Sequence, residues 1–232
     1  KRMAGALRND SWEEIEGQGW FQSAQSMAKN ENFFHWGLEF PVVFYGEDGI
    51  RKEGGGFDAV IGNPPYVRQE QLSASKQFFE INYGCYDSAA DLYVYFLEKG
   101  QQILRKDATM GYIVSNKFVH ADYGEEIRES LSKETQLRRI VDFNSLPVFS
   151  RGVSAYPAIV LADKAEPSDT NLVEMAVMEH LDFEDLRPEV ENRSYEVPQK
   201  SLGGGSWNLQ REEVRKLLSK IHENSDPLSA HL

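Results

Sequence analysis

Apolar positions along this chain follow two rhythms, and the switch between them outlines the elements. A short apolar run, Ala59, Val60 and Ile61, predicts a buried strand of a parallel sheet over 57–62, ended by Gly62. Strand-like runs recur at 40–45, 109–115, 138–143, 155–163 and 171–178. Helical spacing of Leu92, Tyr95, Phe96 and Ile103 predicts a helix over 88–105, and a second is expected at 122–134. Residues 11–30 read as a helix that Gly17 and Gly19 weaken. Residues 210–222 read as an amphipathic helix with Val214, Leu217, Leu218 and Ile221 on one face. Asp48-Gly49 marks a turn, and 68–86 reads as a mobile segment with a short helix, a lid in waiting. Strands alternating with helices predict an α/β fold. The strands at 138–143 and 155–163 suggest an antiparallel hairpin that closes the sheet. After Lys164 the composition changes. Pro167, Ser168, Asp169 and Thr170 form a linker, and Pro188, Pro198 and Gly203-Gly204-Gly205 mark irregular structure. The expected division is therefore 1–165 and 166–232, the second part an irregular α+β extension.

The residues that follow the first of these strands carry the chemistry. Asn63, Pro64, Pro65 and Tyr66 form a stiff loop at its carboxyl end, where open α/β sheets place ligands. Two prolines fix φ and remove two backbone donors. The Asn63 side-chain oxygen and the Pro64 carbonyl remain as acceptors beside an aromatic ring. This set suits a planar group bearing an NH2. Such an amine is a poor nucleophile because its lone pair is delocalised into the ring. Two acceptors that take both N–H bonds favour a more tetrahedral nitrogen and free the lone pair. Asp or Glu in place of Asn63 would also accept, but would add a charge beside a cationic methyl donor. Asn-Pro and Pro-Pro are also ordinary turn dipeptides. The strand before them, with Asp58 near its start, favours the functional reading.

Charge and composition narrow the picture. Of 232 residues 41% are hydrophobic, enough for a sizeable core in one domain plus an appendage. No apolar stretch nears the roughly 20 residues of a membrane span, and no signal peptide is visible. The one cysteine, Cys85, excludes an internal disulfide and suits a reducing cytoplasm. His35, His120, His180, His222 and His231 lack metal-ligand spacing, so no metal is expected. The net charge is −12, and residues 165–198 hold ten acids against Arg187 and Arg193. Arg128, Lys133, Arg138, Arg139 and Arg151 are left as modest candidates for phosphate contact.

Several blocks stand together in one order. Asn63-Pro64-Pro65-Tyr66 resembles motif IV of amino-methyltransferases that use S-adenosylmethionine. Residues 91–100, Asp-Leu-Tyr-Val-Tyr-Phe-Leu-Glu-Lys-Gly, are similar to motif V. Residues 111–118 resemble motif VI, 140–143 motif VII, and Val148-Phe149 with Gly152-Val153-Ser154-Ala155 motif VIII. Phe34-His35-Trp36-Gly37-Leu38-Glu39-Phe40-Pro41 resembles a phrase that often precedes motif IV. Over roughly residues 33–164 the chain is similar to N6-adenine DNA methyltransferases, particularly the fused type IIG restriction–modification enzymes and related phage-defence methylases.

The resemblance implies a partial Rossmann-like methyltransferase sheet, its substrate half. Asn63 and Pro64 would hold the adenine amine, with Pro65 stiffening the loop, and Tyr66 would stack on a base flipped from double-stranded DNA. Phe149 would meet the other face or edge of that base. Lys117 is a candidate for a phosphate. Asp91 falls in the block that lines the cofactor, although Ser88-x-x-Asp91 also has the spacing of a helix capping box. The glycine-rich turn that binds S-adenosylmethionine in the family has no counterpart upstream of residue 57, since Gly54-Gly55-Gly56 precedes the strand directly. The expectation is a segment of a larger polypeptide, cut between cofactor half and substrate half, with residues 166–232 leading into a target-recognition region. Two other readings share the loop. One is a methyltransferase for another planar amine: a release-factor glutamine, a ribosomal RNA base or the cytosine N4. The other is a non-catalytic scaffold.

Overall fold

The computed structural model describes residues 15–31, 34–149 and 156–209, with single positions at 214, 217, 220, 221 and 224. The chain divides into two compact units, Lys1–Lys52 and Glu53–Leu232.

In the first unit the expected helix is broken. Ile15 and Glu16 are helical, the chain turns at Gly17, and α1 runs Gly19–Glu31. Glycine in a helix interior costs about 1 kcal/mol relative to alanine, which puts the break there. The strand expected at 40–45 is instead helical. Two short turns, α2 (Trp36–Glu39) and α3 (Pro41–Phe44), take its place. Pro41 stands in the first turn, where its fixed φ suits a helix and its missing N–H is not needed. The Asp48-Gly49 turn forms as expected, with Gly49 at φ +72° and the Ile50 amide donating to Asp48 Oδ1 at 2.9 Å.

The second unit is built on one six-stranded sheet. Its strands are β1 (Phe57–Gly62), β2 (Leu104–Ser115), β3 (Gln136–Asp142), β4 (Pro157–Asp163), β5 (Leu172–Val177) and β6 (Tyr195–Pro198). The order is β1-β2-β4-β3-β5-β6. The β1–β2 and β3–β5 pairs are parallel, while β4 is antiparallel to both its neighbours and β6 to β5. Strands β1, β2, β3 and β5 therefore end on one edge. The hairpin of β3 and β4 forms, but it does not close the sheet: β4 lies between β2 and β3, and the sheet continues through β5 and β6. The segment after residue 165 thus contributes two strands to this same sheet.

The helices with described bounds in this unit are α4 (Lys76–Asn82), α5 (Leu92–Ile103), α6 (Glu125–Glu134) and α7 (Leu186–Arg193). Strand β2 buries Leu104, Ala108, Met110, Tyr112 and Val114, the alternate residues that one face of a pleated strand supplies. They join Tyr93, Val94 and Leu97 of α5 and Ile127 and Leu131 of α6 in the main core. A smaller cluster holds Val141, Phe143, Ala176, Met178 and Val190, with Leu146 and Val148 packed on it.

Strand β1 forms where expected, and among the described residues only β2 pairs with it, leaving Ile61 86% exposed. In the expected 210–222 helix the described positions are helical, and Val214, Leu217 and Ile221 are exposed. Leu218 lies outside the described residues.

Candidate active site

The loop after β1 is set by a ring held between two glycines. Tyr112, on the neighbouring strand, fills the space where a Cβ on Gly62 would stand, 2.6 Å from its Cε1. On its other side the ring meets Gly100 of α5, where a Cβ would fall 2.7 Å from Cε2. Strand β1, strand β2 and α5 can approach this closely only with hydrogen at both positions. The chain leaves Gly62 into Asn63-Pro64-Pro65-Tyr66. Pro64 is buried, and Asn63 and Pro65 are exposed. Neither the Asn63 carboxamide nor the Pro64 carbonyl is hydrogen-bonded to a described residue; Asn63 is exposed, while Pro64 is packed against its surroundings.

Tyr66 is held back against the sheet. Its hydroxyl donates to the Ile113 carbonyl at 3.4 Å, and burial pushes its phenol up to about 12. Phe149 meets it edge-on, with centroids 5.3 Å apart at 60°. A base between two parallel rings needs about 7 Å, two contact distances of about 3.5 Å. Phe149 therefore stands at the edge of the space beside Tyr66, and the structure brings these two predicted residues together. The remainder of the expected motif VIII, 152–155, lies outside the described residues, as does Arg151.

Asp91 is a tether. Its backbone is extended just before α5, and its side chain makes no cap bond there, so the capping-box expectation is not met. Instead Oδ1 accepts the Gln69 amide at 3.0 Å, and the Leu92 amide donates to the Val67 carbonyl at 3.0 Å. These two bonds fasten the exit of the Asn63 loop to the start of α5. The following segment is also pinned. Its 3-10 turn, Gln69–Ser75, and α4 bury Leu72 and Phe79. Phe79 stacks on Tyr95 at 4.1 Å with the rings 2° from parallel.

Lys117 is exposed, and its ammonium has no described partner. The other expected phosphate contacts are occupied. Arg128 is only 3% exposed and donates to the carbonyls of Phe118, Ala121 and Gly204 at 2.5, 2.7 and 2.7 Å. Desolvation lowers its pKa, with Glu125 and Asp122 acting in the opposite direction. Lys133 pairs with Glu129, Arg138 with Asp163 at 3.7 Å, and Arg139 with Glu174 at 2.6 Å. A sequence cannot reveal that an arginine's neighbours are bare carbonyls of two distant loops.

Cavities lined by described residues lie along the sheet. One of about 470 Å³ is lined by Glu98, Glu126, Glu129, Glu134, Lys133 and Lys164 and shares no residue with the Asn63 loop. A second, about 420 Å³, opens at the ends of β2, β3 and β5 and was not foreseen. Among the described residues no cluster of His, Cys, Asp and Glu has the makings of a metal site, and no helix is long and apolar enough to cross a membrane.

The first two thirds of the sequence, the Asn63 loop included, matches a known family. The family described as Eco57I restriction-modification methylase matches residues 2–149. The chain belongs to this family. Among curated methylases, the type II methyltransferase M.BstVI of Geobacillus stearothermophilus is 30% identical over 230 residues, covering 92% of this chain and 39% of that protein. The type II restriction enzyme and methyltransferase RM.Eco57I of Escherichia coli is 26% identical over 178 residues, 74% of this chain and 17% of that one. The chain thus spans less than half of the length of these Eco57I-type relatives. Among solved structures, a modification subunit from Vibrio vulnificus YJ016 has a TM-score of 0.53 at 15% identity, covering 73% of this chain and 40% of that chain. At that identity the likeness shows the fold alone, a mixed α/β sheet.

Proposed function

We propose that this chain supplies the substrate half of a site-specific DNA methyltransferase in a restriction–modification or phage-defence system of the type IIG kind. The methyl group would pass from S-adenosylmethionine to the N6 amine of an adenine flipped out of double-stranded DNA. The observation that carries the reading is the Asn63-Pro64 pair at the carboxyl end of β1 beside the Tyr66 ring, its two acceptors taken by no described residue. The Asn63 carboxamide oxygen and the Pro64 carbonyl accept the two amine protons, which localises the lone pair on N6. Tyr66 offers a face for stacking, worth about 1–3 kcal/mol per base. The edge of Phe149 limits how far the base slides. Pro65 holds the backbone stiff, so the acceptors do not need to be ordered at the moment of reaction. Lys117 would meet a phosphate of the flipped strand.

S-adenosylmethionine is the methyl source this reading requires. The described residues do not form a cradle for it. Gly54 sits in a turn ahead of β1, while the Gly203 and Gly204 carbonyls hold Trp207 and Arg128. The remainder of the polypeptide would supply its site, and residues 166–232 would lead into the target-recognition region. Asp91 is proposed to act on the cofactor side through the loop exit that it fastens. With one buried cysteine, the reducing cytoplasm is the proposed location.

The test is methyl transfer by the full-length protein from labelled S-adenosylmethionine to duplex DNA, with the product nucleoside identified by mass spectrometry. N6-methyladenine is expected. Asn63→Ala should lower the rate by roughly 10²–10³ without changing the melting temperature. N4-methylcytosine would move the assignment to the other base, and near-normal turnover by folded Asn63→Ala protein would sink the acceptor role.

A further inference from the structure

The second cavity, on the same sheet edge as the Asn63 loop, is built to recognise something planar. Its lining combines polar side chains of Asn116, His120, Asp142 and Asn144 with the apolar surfaces of Trp207 and Leu209. The polar groups are already positioned. Asn116 Nδ2 donates to Asp142 Oδ1 at 2.8 Å, and the Asn144 amide donates to the same oxygen at 2.8 Å. Asp142 Oδ2 takes no hydrogen bond from a described residue, nor does the Asn116 side-chain oxygen. His120 Nδ1 is bonded to Ser206 Oγ at 3.0 Å, which fixes the ring and leaves Nε2. Asn144 sits at φ +51°, a left-handed position that asparagine tolerates, and the residue is exposed at the cavity lining. Trp207 is buried and its indole N–H is held by the Gly203 carbonyl at 2.6 Å, so the ring is a fixed wall.

The chemistry of this set excludes a phosphate and favours a base. A carboxylate in the lining repels an anion. Open acceptors receive an exocyclic amine, while an asparagine amide and an imidazole serve a ring nitrogen and its neighbour. Carboxylates accept from the cytosine amine and asparagine pairs with adenine in direct base readout. A volume of about 420 Å³ lies within the range of small-molecule pockets and is ample for one base. Placement agrees. Neighbouring strands lie about 4.8 Å apart, so the end of β3 stands about 14 Å from the end of β1 along this edge. A base flipped to Asn63 leaves the stack, and a separation of about 14 Å brings nearby bases of the same duplex within reach of the cavity.

Resting on the reading above, we propose that this cavity is a second base site. It reads an amine-bearing base, adenine or cytosine, a few steps from the methylated one, and adds sequence discrimination from within the sheet domain itself.

The test is equilibrium binding by the full-length protein. The reference duplex is the one it binds best in a selection from random-sequence DNA. Each test duplex replaces one base pair within about six steps of the target adenine. At one position, exchanging adenine or cytosine for thymine should weaken binding by about 10-fold or more. Asn144→Gly, which removes the carboxamide and suits the left-handed backbone, should reduce that penalty to under about 3-fold, as should His120→Ala. An unchanged penalty in both variants overturns the proposal, and so does the absence of any such position. Methyl transfer on the same duplexes separates the two readings. Discriminating binding that the variants erase, without N6-methyladenine, would keep the base site and reject the reaction. N6-methyladenine with variant-insensitive discrimination would keep the reaction and reject the base site.

Discussion

Tyr112 decides where the candidate acceptors stand. Its ring is caught between Gly62 and Gly100 and cannot retreat from either. Gly62→Ala should therefore cost about 1–3 kcal/mol of overpacking and displace the Asn63 loop. The measurement is a urea midpoint together with methyl transfer, and both should fall. Tyr66 makes a second prediction at this scale. Burial pushes its phenol up to about 12, against about 10 in an unfolded chain. Between those values the folded form keeps its proton while the unfolded form loses it. The stability contribution is thus full below pH 10 and declines as pH rises to 12. Tyr66→Phe should make the fall in urea midpoint between pH 9 and 11 shallower, and an identical fall would show that the ring is not held as described.

At the scale of elements, the loop exit is fastened to α5 rather than left as a lid. Asp91 needs only an acceptor oxygen to hold the Gln69 amide. Asp91→Asn should keep that bond and most of the activity, while Asp91→Ala should lose about 1 kcal/mol of stability and raise KM for DNA. A carboxylate required for the methyl donor would behave differently, with Asp91→Asn raising KM for S-adenosylmethionine as much as Asp91→Ala. The 40–45 segment shows the limit of pattern reading: a short apolar run fits strand or helix, and Pro41 at a first turn tipped it to helix.

For the whole molecule, charge is the quantity that function must accommodate. The net charge is −12, and the cations near the sheet are largely used internally. This arrangement limits what the chain adds to phosphate binding. In the full-length protein, Lys117→Ala should lower the slope of log K against log salt by about 1. Arg139→Ala should leave it within about 0.3, because that guanidinium is committed to Glu174. Equal effects would mean that Arg139 releases its partner on binding DNA.

The sequence by itself determined the chemistry of the loop. Asn63, the two prolines and Tyr66 at a strand end need only local backbone to become two acceptors beside a ring, and periods of 2 and 3.6 residues located β2, β3, β4, β5, α5 and α6. The tertiary structure decided the rest. That β4 inserts between β2 and β3, and that Asn116, Asp142 and Trp207 share a cavity, both depend on strand order. Strand order is set by long-range packing, and spacing along the chain carries no trace of it. The same holds for Arg128, whose charge read as a surface contact until burial among three carbonyls made it a bolt between loops.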